Sequence, residues 1–529
     1  MKNVIAQIVE QRKKDIASRG YNFGFEIPKK RTRPVNPFMA ERGVILEVKR
    51  ASPSKGDIAP DLNPAETALK YRANGAKAIS CLTEENYFKG SLADLMAVCA
   101  AVPDVAVLRK DFLIDESEIE IAYLCGADAV LLISGILSLE KMKSMTAKCA
   151  ELGIRAFVEV RTEDDAEKVL EVKKNFPNTI VCGVNSRNLK DFSIDLLVPA
   201  QLKKKLGGDV IFESGITTPD AAEKIGSMGF SGILLGEFAA RNPEKAGEFV
   251  RAFESSKENL YGRKMISLAE KVYERRASAF GAAGSANAKN SSGTSGGSAG
   301  IPAGVSGIAG AIGGKISSAV ASALKNEKSI KRPLVKICGL TRVKDILLAD
   351  SLGADFVGFI FASEFGRNVY GKKFAEIGRA LASVKAFKVG VITNPESEEA
   401  FAAAEFVKIG VLDFIQIHGV RYENVPDYLK EVPHYFALTE KMGDFAKNAQ
   451  ELTSRGEPRF LQDSKSHSYS TDENGHLWLA GGVTAENVRS LCKKYKPELI
   501  DVSGGIEGEI LGEKDEFKMT KFFENLGSV

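Results

Sequence analysis

The sequence predicts an α/β protein of two tandem TIM (β/α)8 barrels joined by a flexible linker rich in Gly, Ala and Ser. Three observations lead to this fold class: a length of 529 residues, an uncharged low-complexity stretch near the middle, and the same alternation of apolar runs with helix-period stretches on both sides of it. A chain of this length exceeds what one hydrophobic core supports and suits two or three domains.

The low-complexity stretch marks the linker. No acidic residue occurs between Glu274 and Glu327, and residues 281–314 are almost all Gly, Ala and Ser. Such a segment buries too little apolar surface to offset the entropy lost on ordering. We therefore expect domains at 1–276 and 333–529, with a flexible linker at 277–332.

Two parts of this stretch could have a structure of their own. Residues 291–314 are uncharged, but glycines interrupt them and few are large and apolar, so we do not expect a membrane span. Residues 316–326 could form a short helix that leads into the second domain.

Each half contains eight short, β-branched apolar runs separated by longer helix-period stretches. Near-continuous apolar runs are typical of parallel strands buried on both faces, and eight repeats predict a closed barrel. The alternative is an open doubly wound sheet, but neither half has GxGxxG after its first run. The runs are 44–49, 76–82, 105–110, 128–134, 155–160, 179–185, 209–215 and 231–236 in the first half, and 334–339, 355–361, 387–393, 413–419, 434–438, 459–463, 477–482 and 499–505 in the second.

The composition excludes several classes of protein. With 72 basic and 69 acidic residues the net charge is +3, so we expect no nucleic-acid or membrane partner. The seven cysteines form no CxxC pair, which indicates reduced core residues in a cytoplasmic protein rather than disulfides or a zinc site. Residues 1–20 predict an amphipathic helix and not a signal peptide.

Charged side chains end five runs of the first half. The catalytic side of a (β/α)8 barrel lies at the carboxyl ends of its strands, and a charge there is costly unless it is paired or functional. A lysine beside carboxylates whose pKa values are pushed apart could supply a general acid and a general base. Because neighbouring cations and partial desolvation can lower the pKa of a lysine, we expect the pKa of Lys110 to be lowered toward neutrality. One Lys–Glu pair alone would more often be structural. The residues are Glu47, Lys49, Lys110, Glu159, Asn185, Arg187, Glu213 and Ser214.

A phosphate site is indicated separately. Gly215 and Gly236 follow the seventh and eighth runs, where backbone N–H groups commonly bind phosphate in this fold. Ser52, after the first run, could add a hydroxyl group. Glycines also end strands for reasons of turn geometry, so this signal is weak by itself.

With these residues in place, the first half resembles indole-3-glycerol-phosphate synthases. The resemblance covers residues 1–255 and includes the segment before the first strand. It implies that Lys110 is the general acid in a decarboxylating ring closure, that Glu159 assists the later dehydration, and that Lys49 binds the substrate carboxylate. It also implies that Glu47, Asn185, Arg187, Glu213 and Ser214 position the substrate. The motifs are EVKRASPSKG (47–56), LTEENYFKGS (82–91), LRKDF (108–112), VEV (158–160), VNSRNL (184–189), FESGI (212–216) and LLGE (234–237).

In the second half, Cys338 ends the first run and Asp463 ends the sixth. A cysteine in this position is either a small buried residue or a base, and a thiolate facing a carboxylic acid across one mouth makes a base and acid pair. Glycines and a serine after the seventh and eighth runs again suit phosphate. They are Gly481, Gly482, Ser503 and Gly504.

This half resembles phosphoribosylanthranilate isomerases over most of residues 333–529. The resemblance implies an Amadori rearrangement in which Cys338 removes the C2′ proton, Asp463 protonates the ring oxygen and Arg367 binds the anthranilate carboxylate. The product would be the substrate of the first barrel. The motifs are KICGLTR (336–342), VGVITN (389–394), IQIHG (415–419), LAGGVTAENV (479–488) and DVSGGIE (501–507).

The second half departs from that family at three places. Phe365 and Gly366 stand where the family has Ser-Pro before the arginine, and Ser503-Gly504 replaces a double serine. Only residues 464–476 separate Asp463 from the next run. They leave room for a loop but hardly for the usual loop and helix.

Other functions are compatible with the same residues. The second barrel could be a degenerate partner of an active synthase, or the chain could be a phosphate-binding scaffold, or an aldolase that uses Lys110 or Lys49 as a Schiff base. We expect phosphorylated small-molecule substrates, no metal and no cofactor. The oligomeric state is open, with a monomer as the expectation, and two barrels on such a linker should diffuse independently.

Overall fold

The computed structural model describes residues 4–188, 192–284, 332–470 and 476–527, and it contains two closed barrels of eight parallel strands. The prediction of two (β/α)8 barrels is therefore confirmed. The strands are β1 (Gly43–Val48), β2 (Ala51–Ser52), β3 (Gly56–Asp57), β4 (Ala78–Leu82), β5 (Ala106–Lys110), β6 (Ala129–Ile133), β7 (Arg155–Val160), β8 (Ile180–Asn185), β9 (Val210–Glu213), β10 (Gly232–Leu235), β11 (Leu334–Ile337), β12 (Phe356–Ile360), β13 (Phe387–Ile392), β14 (Phe414–His418), β15 (His434–Thr439), β16 (Phe460–Asp463), β17 (Trp478–Ala480) and β18 (Leu499–Val502).

Around each barrel the strands pair in chain order. In the first, β1 pairs with β4 and β10, and β2 and β3 form a separate antiparallel hairpin above it; in the second, β11 pairs with β12 and β18. Most first-barrel helices start at a side-chain cap, such as Thr162 with its capping box to Asp165.

Most helices lie between strands that are neighbours in a barrel. The helix Val4–Arg19 precedes the first barrel, three helices follow its last strand, and the helix Glu516–Gly527 follows the last strand of the second barrel. The helices are α1 (Val4–Arg19), α2 (Pro64–Ala73), α3 (Leu92–Ala101), α4 (Glu116–Leu124), α5 (Leu139–Glu151), α6 (Glu163–Lys173), α7 (Leu197–Leu206), α8 (Pro219–Ser227), α9 (Glu237–Arg241), α10 (Ala246–Ser255), α11 (Leu260–Gly284), α12 (Val343–Ser351), α13 (Lys372–Gly378), α14 (Glu398–Lys408), α15 (Asp427–Lys430), α16 (Phe445–Ser454), α17 (Val488–Tyr495) and α18 (Glu516–Gly527).

The inside of the first barrel is layered. Residues two apart on a strand share a face, so each charged residue near a strand end stands one layer above an apolar one. The apolar layer is fully buried inside the barrel, so the charged layer lies nearer to the mouth. The stacked pairs are Ile45 and Glu47, Leu108 and Lys110, Phe157 and Glu159, and Ile211 and Glu213.

Three sequence predictions concern segments rather than the barrels. The predicted N-terminal helix is present as α1. Helix α11 extends to Gly284, inside the predicted linker, and the rest of that linker lies outside the described residues, as does the helix predicted at 316–326. After β16 no helix occurs among residues 464–470 and 476–477, in agreement with the short spacing there.

The two barrels pack against each other, so the expectation that they diffuse independently is wrong. Buried and half-buried ion pairs join them, and linker composition could not reveal such complementary charges. Helix α11 contributes two of these pairs. The pairs are Asp195–Arg459, Lys224–Glu457, Asp220–Arg455, Lys264–Asp413 and Arg275–Asp355.

The second barrel docks through the end opposite its mouth. Asp355, Asp413 and Arg459 each immediately precede a strand, and they lie at the amino-terminal ends of β12, β14 and β16. Because the catalytic side of this fold is formed by the carboxyl ends of the strands, the mouth of the second barrel opens away from the first barrel.

Candidate active sites

The mouth of the first barrel is a cavity of about 430 Å³. It brings together residues from all eight barrel strands and from the loops that follow them. Every residue that the sequence placed in this site lines the cavity: Glu47, Lys49, Ser52, Lys110, Glu159, Asn185, Arg187, Glu213, Ser214, Gly215 and Gly236. Their individual roles stay predictions.

Lys110 is the centre of the cluster. Its Nζ donates a hydrogen bond to Glu213 Oε2 over 2.6 Å and lies 3.8 Å from Glu47 Oε2. Burial acts to lower the pKa of Lys110, but Glu213, Glu47 and Glu159 outweigh burial and raise it. The expectation of a lysine pKa near neutrality is therefore wrong, because three carboxylates rather than cations surround the ammonium group.

The carboxylates differ in pKa, as the sequence suggested. Burial raises the pKa of Glu213 to about 7 despite the nearby Lys110, and burial also raises the pKa of Glu159. In Glu47 the effect of burial is outweighed by Lys49 and Lys110, so its pKa is lowered. The site thus contains one firmly ionised carboxylate and two that hold protons more readily, which is the division that acid–base chemistry needs.

Lys49 and Glu47 form a pair of their own. Lys49 Nζ lies 2.8 Å from Glu47 Oε1, and Ser80 donates to the other oxygen over 3.2 Å. A Cβ atom on Gly236 would lie 2.7 Å from both Glu47 Oε1 and Lys49 Nζ. Glycine is therefore required at 236 to leave room for this pair, whatever else its backbone binds.

Asn185 and Arg187 are arranged by the end of β8. The Arg187 backbone N–H donates to Asn185 Oδ1 over 2.9 Å, and the Asn185 side chain hydrogen-bonds Glu159. Burial lowers the pKa of Arg187. A cation that has lost much of its water is suited to bind an anionic part of a substrate.

The turn after β9 has an unusual backbone. Ser214 and Gly215 have φ angles of 69° and 76°, the left-handed region that non-glycine residues rarely adopt. A Cβ atom on Gly215 would come within 2.9 Å of Leu196 and 3.0 Å of Ile194. Ser214 and Gly215 both line the cavity, so the turn lies where this fold commonly binds phosphate.

Sequence reasoning missed the apolar walls of this cavity. Ile5 and Ile8 of α1 and the rings of Phe88 and Phe112 line it. Arg12 fixes the helix to the barrel through Asp111 and Glu118, at 2.6 and 2.8 Å. The amphipathic pattern of residues 1–20 was the available signal. The wall gives the cavity one apolar side, where an aromatic ring could lie.

In the second barrel, Cys338 is buried beside a charged pair that the sequence did not single out. Lys336 is fully buried, and its Nζ donates to Asp501 Oδ2 over 2.5 Å and to Gln416 Oε1 over 2.7 Å. Burial raises the pKa of the Cys338 thiol, while Lys336 opposes that rise. The signal for Lys336 and Asp501 was a charge inside an otherwise apolar strand.

Asp463 lies at the end of β16, as predicted. Burial raises the pKa of its carboxyl group, and Lys336 acts against that rise as it does for Cys338. His418, another residue missed from the sequence, has Nε2 3.7 Å from Asp463 Oδ2, and burial lowers the pKa of His418 to about 4. Because its pKa is low, the imidazole of His418 is neutral near pH 7 and adds no positive charge beside Asp463.

Arg367 does not stand free in the site. Its Nε and Nη2 donate to the two carboxylate oxygens of Glu507, both over 2.7 Å. A Cβ atom on Gly504 would lie 3.1 Å from Arg367 Nη2, so the guanidinium rests against the Ser503–Gly504 loop. A substrate carboxylate that binds Arg367 would have to share it with Glu507.

Gly481 and Gly482 have φ angles of 94° and 60° and form a turn after β17. A Cβ atom on Gly482 would lie 2.7 Å from His467 Nε2, and this nitrogen is buried without a hydrogen-bond partner among the described residues. His467 belongs to the short segment after Asp463. It brings a polar group to the glycine turn from the short segment that stands in place of the usual loop and helix.

All seven cysteines are buried and unpaired. Among the residues described, no group of three or more His, Cys, Asp or Glu side chains has the arrangement of a metal site. No helix in the described ranges is long and apolar enough to cross a bilayer.

Comparison with protein families gives one match to each barrel. Residues 5–253 match the family model "Indole-3-glycerol phosphate synthase", and residues 335–525 match "N-(5'phosphoribosyl)anthranilate (PRA) isomerase". The two matches cover the two barrels seen in the structure.

Two curated relatives and one solved structure are similar to parts of this chain. An indole-3-glycerol phosphate synthase of Oceanobacillus iheyensis is 36% identical over 46% of this chain and 94% of its own length. A multifunctional tryptophan biosynthesis protein of Schizosaccharomyces pombe is 29% identical over 90% of this chain, and the alignment spans 58% of that relative. A crystal structure of phosphoribosyl anthranilate isomerase from Thermotoga maritima is 27% identical, with a TM-score of 0.31, and covers 37% of this chain and 100% of that one.

Proposed function

Because the chain belongs to the indole-3-glycerol phosphate synthase family and carries a phosphoribosylanthranilate isomerase domain behind it, we propose that it performs two consecutive steps of tryptophan biosynthesis. The second barrel isomerises phosphoribosylanthranilate to carboxyphenylamino-deoxyribulose phosphate. The first barrel decarboxylates and cyclises this product to indole-3-glycerol phosphate. The domains are 1–276 and 333–529, around a linker at 277–332.

One observation carries the synthase assignment: the Lys110 ammonium group lies among three carboxylates at the floor of a half-apolar cavity. In the proposed reaction, Lys110 donates its proton to the substrate carbonyl oxygen as the aromatic carbon attacks the carbonyl carbon. Carbon dioxide leaves from the ring and restores aromaticity. The raised pKa of Lys110 keeps the acid protonated throughout the neutral range.

Loss of water completes the indole ring. Glu159 holds protons readily because it is buried, and we assign it the proton transfers of this dehydration. Lys49 and Arg187 bind the substrate carboxylate and hold the substrate in place, while Ser52, Ser214 and the backbone at Gly215 and Gly236 bind the phosphate. These steps need proton transfers alone, so no metal or cofactor enters the proposal.

In the second barrel, Cys338 as thiolate removes the C2′ proton and Asp463 protonates the ribose ring oxygen as the ring opens. The protonated form of Asp463 is favoured by burial. The thiolate is disfavoured by burial and favoured by Lys336, so the charge on Lys336 supports the base. Arg367 binds the anthranilate carboxylate, and Gly481, Gly482, Ser503 and Gly504 bind the phosphate.

The second barrel packs against the first through the end opposite its mouth, so the two mouths do not face each other. We therefore propose that the intermediate leaves the second barrel and reaches the first through solvent. A reducing cytoplasm is the expected location, because every cysteine is a free thiol.

The deciding experiment gives the full chain phosphoribosylanthranilate as the sole substrate and identifies the products. Formation of indole-3-glycerol phosphate supports both activities. A chain that converts carboxyphenylamino-deoxyribulose phosphate but not phosphoribosylanthranilate would have an active synthase and a degenerate second barrel. Conversion of neither would remove the proposal.

A further inference from the structure

A buried arginine of the second barrel holds a carboxylate of the first. Arg459 is 2% exposed, and its Nη1 and Nη2 donate to the two oxygens of Asp195 over 3.0 and 3.2 Å. Its Nε and Nη2 donate to Glu498 of its own barrel over 2.5 and 3.2 Å. A planar guanidinium that bridges two carboxylates in this way fixes their relative position more tightly than a flexible ammonium group could.

Asp195 in turn forms the base of the turn that presents Arg187. Its backbone N–H donates to the Ser186 carbonyl over 2.9 Å, and its Oδ1 accepts from the N–H of Leu197 at the start of α7. Arg187 pairs with Ile194 in an antiparallel bridge, and both line the cavity. Asp195, which Arg459 holds, is therefore the direct chain neighbour of Ile194, a residue of the cavity wall.

The neighbouring loop of the first site is also held from the second barrel. Thr217 lines the cavity, and its hydroxyl donates to the Ser454 carbonyl over 3.2 Å. Thr218 donates to the same carbonyl over 2.6 Å. The loops after β8 and β9, which carry Arg187 and the Ser214–Gly215 turn, thus both rest on the second barrel.

We infer that Arg459 is a positioning residue for the first barrel's active site and acts through Asp195 on the turn that carries Arg187. The inference rests on the proposed synthase function and adds a role for the second barrel in it. In this inference the second barrel also holds the substrate-binding loops of the first barrel in position.

The test measures synthase kinetics of the full chain with carboxyphenylamino-deoxyribulose phosphate. We expect Arg459→Met to raise KM about tenfold while kcat changes by less than about threefold, since small displacements of a binding group weaken binding strongly. A purely structural role would instead lower the amount of active enzyme and hence the apparent kcat. Arg459→Lys should recover part of the loss in KM.

A double-mutant cycle identifies the partner. Asp195→Asn should raise KM at least as much, because it also weakens the contacts of Asp195 with Tyr273 and His476. The double variant should be no worse than Asp195→Asn alone, because both changes break the contact between Arg459 and Asp195.

Arg455→Met is the matched control. Arg455 is also an arginine of this interface. It pairs with Asp220 at 2.9 Å, and Asp220 does not line the cavity. Its KM should stay within about twofold of wild type.

The outcomes separate the inference from the proposed function. A wild-type chain without synthase activity would remove both. An active wild type in which Arg459→Met leaves KM within about twofold overturns the inference alone, as does an equal rise in KM for Arg455→Met. Should Arg459→Met fail to fold, Arg459→Lys and Asp195→Asn decide the question, and an unchanged KM in both overturns it.

Discussion

Lys110 Nζ donates to Glu213 Oε2 over 2.6 Å, and both members of this pair hold their protons more tightly than they would in water. For Glu213 the cause is burial, which disfavours the carboxylate. For Lys110 it is the surrounding negative charge, which outweighs burial. The pair therefore keeps a proton in the pocket at neutral pH, so Lys110 is in the acid form that its proposed role requires.

Replacement of this acid should stop ring closure. We expect Lys110→Ala to lower kcat of the synthase reaction by a factor of roughly 100 to 10,000, the usual contribution of a general acid. The isomerase activity of the same chain should be unchanged. Lys77→Ala serves as the control, because Lys77 pairs with Glu41 outside the cavity. Near-normal turnover by Lys110→Ala would exclude Lys110 from this role.

The raised pKa of Glu213 should appear in the stability of the first barrel. The folded pKa of about 7 lies above the ordinary value of 4.5, so the contribution of Glu213 to stability is fully present below about pH 4.5 and is lost as the pH rises through about 7. Glu213→Gln cannot ionise. Its free energy of unfolding should therefore improve relative to wild type between about pH 5 and pH 8, by up to about 3 kcal/mol.

Glu47→Gln is the matched control for that measurement. The pKa of Glu47 is lowered, so its contribution is present above the ordinary pKa and is lost only in more acidic solution. The difference between Glu47→Gln and wild type should stay constant over the same pH range. Denaturant unfolding at each pH measures both, and a constant difference for Glu213→Gln as well would contradict the raised pKa.

Cys338→Ala should abolish the isomerase and spare the synthase. We expect kcat to fall by a factor of at least about 100, because the base would be lost. Thiolate formation at Cys338 increases with pH while the protonated form of Asp463 decreases, so wild-type isomerase activity should fall at both acidic and alkaline pH. Cys492→Ala, a change at another buried cysteine of the same barrel, should leave turnover unaltered. Equal losses in the two variants would point to packing rather than catalysis.

Lys224→Met should loosen the contact between the barrels. Glu457 is fully buried and accepts from Lys224 and from His434, and despite burial these partners lower the pKa of Glu457 to about 2. Without Lys224, the buried carboxylate of Glu457 has less positive charge to balance it. We therefore expect the free energy of unfolding to fall by about 3–5 kcal/mol.

Calorimetry of the full chain measures this effect. Lys430→Met, which breaks the surface pair between Lys430 and Asp427, should cost less than about 1 kcal/mol. Similar unfolding temperatures for Lys224→Met and wild type would show that the interface contributes little to stability.

The sequence by itself determined the fold class and which residues form the site of the first barrel. Eight apolar runs in each half, without GxGxxG after the first, favoured a closed barrel over an open sheet, and the strand periodicity of two residues then indicated which polar side chains point into the mouth. For this reason Glu47, Lys110, Glu159 and Glu213 could be grouped by their places at the strand ends, although they are far apart in the chain. Family motifs added roles for them but not their positions.

Only the tertiary structure decided the charge state of Lys110 and the relation between the barrels. A pKa depends on which charges lie within a few ångströms, and sequence spacing does not give that distance. The clamp of Asp195 by Arg459 joins two loops from different domains, and no local pattern marks either residue as an interface group. The interface combines side chains from distant parts of the chain, so it depends on the folded surfaces of both barrels and not on any local sequence pattern.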